Sequence, residues 1–110
     1  MEIDISGRHF HVTEPLKKYA LDKVKKLDKY SLKIETAHVI FDVQKFYQIT
    51  EIVLSANHMR LAAKEQSTDM YSAFDKCFDN IQLQMRRQHD KRKEHKGRRY
   101  WPKGAPAPKR

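Results

Sequence analysis

Three alternating runs in the middle of the chain limit its possible folds more than any other feature. Ala37, Val39, Phe41 and Val43 alternate with His38, Asp42 and Gln44. Ile52, Leu54 and Ala56 recur at the same period within residues 50–57, and Met59, Leu61 and Ala63 do so before Lys64. A period of two is the mark of a strand with one buried face. The connections, Lys45-Phe46-Tyr47-Gln48 and a tight turn at Asn57-His58, are short, so the three strands form an antiparallel meander. Such a sheet is apolar on one side, and another part of the chain must cover that side.

Two segments have the spacing to do so. Thr13-Glu14-Pro15 is a helix start, with Thr13 able to cap and proline tolerated in the first turn. Leu16, Ala20, Val24 and Leu27 follow at helical spacing, predicting a helix over about 14–30 with Tyr19 and Tyr30 on one flank. Ser67-Thr68-Asp69 offers caps for a second helix, whose stripe is Met70, Phe74, Cys77, Ile81 and Met85. At the other end, Ile3 and Ile5 alternate with Glu2, Asp4 and Ser6 in a short strand that Gly7 is expected to end. The order is β-α-β-β-β-α. A right-handed crossover from the first strand puts both helices on one face of a four-stranded sheet, an α+β fold.

A chain of 110 residues suits one domain. The expected domain spans 1–96, followed by a flexible basic tail, 97–110, broken by Gly97, Pro102, Gly104, Pro106 and Pro108. No apolar run approaches the ~20 residues of a membrane span. MEIDISGRHF lacks the basic and apolar regions of a secretory signal. The one cysteine, Cys77, lies on the core stripe of the second helix and suits a reducing cytoplasm.

The charge is unevenly placed. Lys and Arg number 23 against 14 Asp and Glu, a balance of +9. Residues 86–110 hold 11 basic and 2 acidic side chains, which account for the whole excess. Continuing the core stripe past Met85 leads to Gln88 and Arg92, so the apolar support ends while nothing breaks the helix before Gly97. Residues 86–96 would extend the helix by about 16 Å, ringed by Arg86, Arg87, Lys91, Arg92, Lys93 and Lys96. Like charges on one helix repel, an effect partly offset by the macrodipole at a C-terminus. A solvated helix end is the bland account; cations around the whole helix, with no acid supplied by the body, favour a polyanion partner. Lys17, Lys18, Lys25 and Lys29 line the solvent face of the first helix, and Lys23 and Lys26 its tyrosine flank. The far side of the sheet is expected to show Glu2, Asp4, Asp42 and Glu51, giving a basic helical side and an acidic sheet side. Tyr100 and Trp101, after Arg98 and Arg99, could stack on unpaired bases but are better read as part of the tail.

Catalytic signatures are missing. Among six histidines, His9-Phe10-His11 has no third ligand placed to complete a metal set, and His89 and His95 sit among cations. The three glycines are far apart, so there is no phosphate loop. Asp75 and Asp79 read as ordinary helix-face acids. No enzyme, cofactor or metal is expected. A membrane-surface helix is disfavoured because the apolar stripe stops where the basic block starts.

The segments ISGRHFHVTEPLKKY, KLDKY and STDMYSAFDKCFDNIQLQMRRQHDKRKEH resemble the ribosome hibernation-promoting factor family, also called ribosomal subunit interface or sigma-54 modulation proteins. The match covers about residues 1–95, and its sharpest piece is Asp69-Met70-Tyr71 with Ala73 and Asp75. The resemblance implies a fold like a double-stranded-RNA-binding domain with an added first strand. It implies a cytoplasmic, non-catalytic protein, monomeric when free. Such a protein sits on the small ribosomal subunit against 16S rRNA in stationary phase or stress, fills the messenger and transfer RNA channel, and silences translation. The implied rRNA-facing residues are Lys23, Lys26, Arg86, Arg87, Lys91, Arg92 and Lys93. Asp69 is assigned a capping role and Tyr71 a packing role. Long members carry a second, dimerising domain. Of two short subgroups, one ends near the position of His95 and helps ribosomes pair, and the other has an acidic tail and keeps them single. GRRYWPKGAPAPKR matches neither, so the effect on ribosome pairing stays open. Two other readings remain: a general RNA- or DNA-binding module, and a regulator acting on an acidic protein. Comparing affinity for small subunits and for free duplex RNA separates the first of these, and a flat salt response would mark the second.

Overall fold

The computed structural model describes residues 1–30, 33–56 and 59–97; the side chains of residue 30 and of residues 89–97 lie outside that description. Strand β1 spans Glu2–Arg8, helix α1 Glu14–Lys25, and a 3-10 helix follows at Lys26–Tyr30. Strands β2 (Ile34–Gln44), β3 (Tyr47–Ala56) and β4 (Met59–Ser67) lead to helix α2 (Met70–Gly97). The sheet order is β1-β2-β3-β4, with β1 parallel to β2 and the other pairs antiparallel. The parallel pair is the one joined through α1, as a crossover requires.

The core lies between the sheet and the two helices. Phe41, Ile52 and Leu54 from the sheet meet Val24 and Leu27 from the first helical segment and Phe74, Ile81 and Met85 from α2, all fully buried. Thr50 is buried with them and donates its hydroxyl to the Met70 sulfur at 3.7 Å. Cys77 donates to the Ala63 carbonyl at 3.3 Å, and burial pushes its thiol up to about 12. It is a packing residue, as its place on the stripe implies.

The expected helix over 14–30 divides into two kinds of turn. Thr13 caps it, its hydroxyl accepting from the Leu16 N–H at 3.3 Å. At Lys26 the N–H turns to the Lys23 carbonyl, a 3-10 bond. From Val24 the next core residue is three positions on, at Leu27, and three residues per turn keeps both on one side.

Gly7 does not end β1, which runs on to Arg8. The chain turns back at His9, in the left-handed region with φ 58°, and brings the Phe10 carbonyl against Gly7. A Cβ at Gly7 would lie 2.1 Å from that oxygen, so glycine is required by the approach of backbone to backbone. Strand β2 begins at Ile34, before the alternating run, because the register shifts between Ile34 and Thr36. Such an irregularity breaks the period of two and lets both Ile34 and Ala37 face the core. The first connection shortens to Lys45-Phe46, closed by the Gln44–Tyr47 pair. The expected turn at Asn57-His58 lies outside the described residues.

Candidate nucleic-acid interface

The two helices meet through an aromatic seam. Tyr19 of α1 lies edge-on to Tyr71 at 5.1 Å and to Phe74 at 5.7 Å, and Phe74 stacks with Phe78 at 5.8 Å. The Tyr19 hydroxyl donates to Asp75 Oδ1 at 2.6 Å. That bond, with burial and the Asp75 charge, pushes the phenol up to about 12. One turn further on, the Lys23 ammonium lies 5.4 Å from the Tyr19 ring centre and 5.9 Å from that of Phe78, a cation–π arrangement that holds the charge over the seam. Both helices advance in the same direction along it, and the 3-10 helix carrying Lys26 packs on α2. Lys26 itself is exposed.

On α2 the expected stripe is buried through Met85. Arg86 and Arg87 follow at once and are exposed. The described contacts of α2 with β4 run from Lys76, whose ammonium donates to the Gln66 carbonyl, to Asn80, donating to Glu65, and Gln84, donating to the Ala62 carbonyl. Arg87 and Gln88 line a hollow with Leu61, close to where β4 starts at Met59. The helix backbone continues to Gly97, as the absence of a breaker predicts. Lys91, Arg92 and Lys93 stand on that continuation, with side chains outside the described residues, as are Tyr100 and Trp101 and the rest of the tail.

The motif at the head of α2 behaves as assigned. Asp69 Oδ2 accepts the Ser72 N–H at 3.0 Å, and the Asp69 carbonyl accepts from Ala73 at 2.9 Å. Tyr71 packs on Tyr19 while remaining 39 % exposed. Asp75 does more than its reading as a helix-face acid allows. Its signal was available: Tyr19 on the α1 flank, and Asp75 one turn beyond Tyr71 on the facing helix. The donor row from Lys76 to Gln84 had no such signal, because it depends on which sheet edge α2 crosses.

The expected acidic sheet side forms in part: Glu2 and Asp4 are exposed there, whereas Asp42 is withdrawn from it. Asp42 is only 3 % exposed, with Arg8 Nη1 at 3.6 Å and His9 Nδ1 at 3.1 Å. Burial raises its carboxyl, but hydrogen bonds from His9, the Val43 N–H and Gln44 outweigh burial and hold it below the usual 3.8. Glu51 pairs in register with Lys64, and Asp4 lies 3.4 Å from His38. Asp42 is thus matched locally by Arg8, while Glu2 and Asp4 keep some acidity on the sheet side. Among the described residues, no three His, Cys, Asp or Glu side chains gather as a metal ion requires.

Residues 3–93 match the family model described as Sigma 54 modulation protein / S30EA ribosomal protein. The chain is 32 % identical over 95 residues to the ribosome hibernation promoting factor of Salmonella typhimurium, covering 86 % of this chain and all of that one. It is 33 % identical over 91 residues to the factor of the same name from Pseudomonas putida, covering 83 % and 89 %. The fold is similar to a ribosomal subunit interface protein from Coxiella burnetii, with TM-score 0.77, 20 % identity, and 82 % and 99 % covered. It is also similar to the Thermus thermophilus Protein Y N-terminal domain, with TM-score 0.72, 26 % identity, and 80 % and 99 % covered.

Proposed function

The chain belongs to the family of sigma 54 modulation and S30EA ribosomal proteins, and from that premise we propose that it is a ribosome-binding hibernation factor. It occupies the messenger and transfer RNA channel of the small subunit in stationary phase or stress, and it silences translation by occupancy alone. The observation that carries this reading is the pair Arg86 and Arg87, exposed in the turn after the fully buried Met85, at the start of a helix extension that adds Lys91, Arg92 and Lys93. Lys23 and Lys26 supply the second bank, across the seam from α2. Neutralising phosphates with such residues releases counterions and gives affinity with little demand on sequence. A ribosomal channel is read by shape and backbone, so this inventory suffices without a base-reading code.

The same reading makes the protein a cytoplasmic, non-catalytic factor, monomeric when free. The row of donors from α2 covers carbonyls of β4 that would otherwise invite another strand. The test is sedimentation of ribosomes from stationary-phase cells, followed by competition of the purified protein with messenger RNA for small subunits. Co-sedimentation with ribosomes and displacement by messenger support the proposal. Equal affinity for free duplex RNA and for small subunits would reduce it to a general RNA binder.

A further inference from the structure

The β2–β3 turn carries a feature that neither the core nor the basic helix explains. Phe46 is 86 % exposed, and Tyr47 beside it is 46 % exposed. Single exposed apolar side chains are ordinary; this one differs in its setting. The turn has only two loop residues, Lys45 and Phe46, between the paired Gln44 and Tyr47. Lys45 sits in the left-handed region with φ 52°, so the turn is tight and the ring is presented on a braced support. Next to it opens a hollow of about 410 Å³, whose lining includes His9, Gln44, Tyr47 and Gln66.

Lys45 puts a cation directly beside the ring. Arg8 and His9 lie close by and are engaged with the buried Asp42. Asp69 lies at the same end, with its carboxylate turned to the first turn of α2. An exposed aromatic next to a lysine, beside a hollow whose lining includes the amides of Gln44 and Gln66, is the chemistry that receives an unpaired nucleobase and its phosphate.

Its location makes it a separate contact. Gln48 pairs with Ser67, so the turn lies at the end of the sheet where α2 begins. Arg86 stands 16 residues beyond Met70, about 24 Å along the helix axis. We propose that the β2–β3 turn is a second RNA contact of this protein, with Phe46 stacking on an unpaired nucleobase and Lys45 neutralising an adjacent phosphate. The proposal rests on the ribosome-binding reading and deepens it. Two contacts at a fixed separation select RNA that offers an unpaired base at that distance from a phosphate cluster, as a structured rRNA surface does and a plain duplex does not.

The experiment measures binding of labelled full-length protein to purified small subunits. Phe46→Ala should weaken binding about tenfold, the scale of one base–aromatic stack, with an unchanged melting temperature. Phe46→Trp should restore affinity, and Phe46→Leu should not. A photoreactive benzophenone side chain at position 46 should crosslink to RNA. Full affinity in Phe46→Ala, rescue by Phe46→Leu as well as by Phe46→Trp, or crosslinking to ribosomal protein would each overturn this inference while leaving the basic-helix reading intact. Wild-type protein that fails to bind small subunits would overturn both.

Discussion

Replacing Tyr19 by phenylalanine isolates a polar bond across the helix seam. Tyr19→Phe keeps the ring and its edge-on contacts with Tyr71 and Phe74 and removes the 2.6 Å bond to Asp75. A hydrogen bond to a charged acceptor contributes about 1.5–3 kcal/mol. The rise of the phenol from 10.0 to about 12, caused first by this bond and next by burial, sets an upper bound. It corresponds to at most about 2.7 kcal/mol, which solvent screening at a partly exposed pair cuts to about 1–1.5 kcal/mol. A cost near 1.5 kcal/mol at neutral pH is the expectation. The phenol is neutral when protonated, and Asp75 favours that form, so the native state holds its proton after the unfolded state has released it. The contribution is therefore complete below pH 10 and is lost as pH rises from 10 towards 12. Urea unfolding of both proteins at pH 7.5 and at steps up to pH 11.5 measures this. The gap between them should start near 1.5 kcal/mol and close with rising pH. No gap at pH 7.5, or a gap that stays constant to pH 11.5, would refute the reasoning.

Gly7→Ala forces a Cβ to within 2.1 Å of the Phe10 carbonyl oxygen; it should cost about 1–3 kcal/mol, read as a clear fall in melting temperature, and an unshifted melt would contradict the required approach. Asp42 has a native carboxyl below 3.8 and an unfolded one near it, so its contribution is present above pH 3.8 and lost as pH falls further. Asp42→Asn should thus flatten the acid limb of the stability profile measured by circular dichroism, and an unchanged limb would contradict the pairing with His9. Cys77, fully buried and with its thiol raised to about 12, should resist maleimide at pH 7.5 in the native protein and react once unfolded in urea; rapid native labelling would show that the core opens there.

What could be read from the sequence follows from what makes a pattern periodic. The stripe from Met70 to Met85 and the runs around Val39, Leu54 and Leu61 each bury one face, and burial writes a regular spacing into the chain. The element order followed from them, and so did the cap at Asp69, whose side chain bonds only three residues ahead. Features that depend on distant partners left weaker traces. Ile34 joined the sheet through a register shift that erased its alternation. Asp42 looked like a surface acid because His38, Asp42 and Gln44 share one parity; its burial comes from Arg8 and His9, 34 and 33 positions earlier. Gly7 looked like a strand end because its role depends on where Phe10 returns. The basic positions were legible because a charge block is local, whereas the clamp from Tyr19 to Asp75 spans 56 positions: each residue stood out on its own helix, but joining them required knowing which helix faces meet.

The central claim is that cations carried past the end of the core make phosphate contacts on ribosomal RNA. Its most direct measurement is the salt dependence of binding to purified small subunits, for wild type and for a variant with Arg86, Arg87, Lys91, Arg92 and Lys93 replaced by glutamine. The account predicts a steep wild-type slope, with log K falling by about 0.7–0.9 per phosphate neutralised for each decade of salt. The variant should show a markedly shallower slope, with stability changed by no more than about 1 kcal/mol. Equal slopes for the two proteins would contradict it.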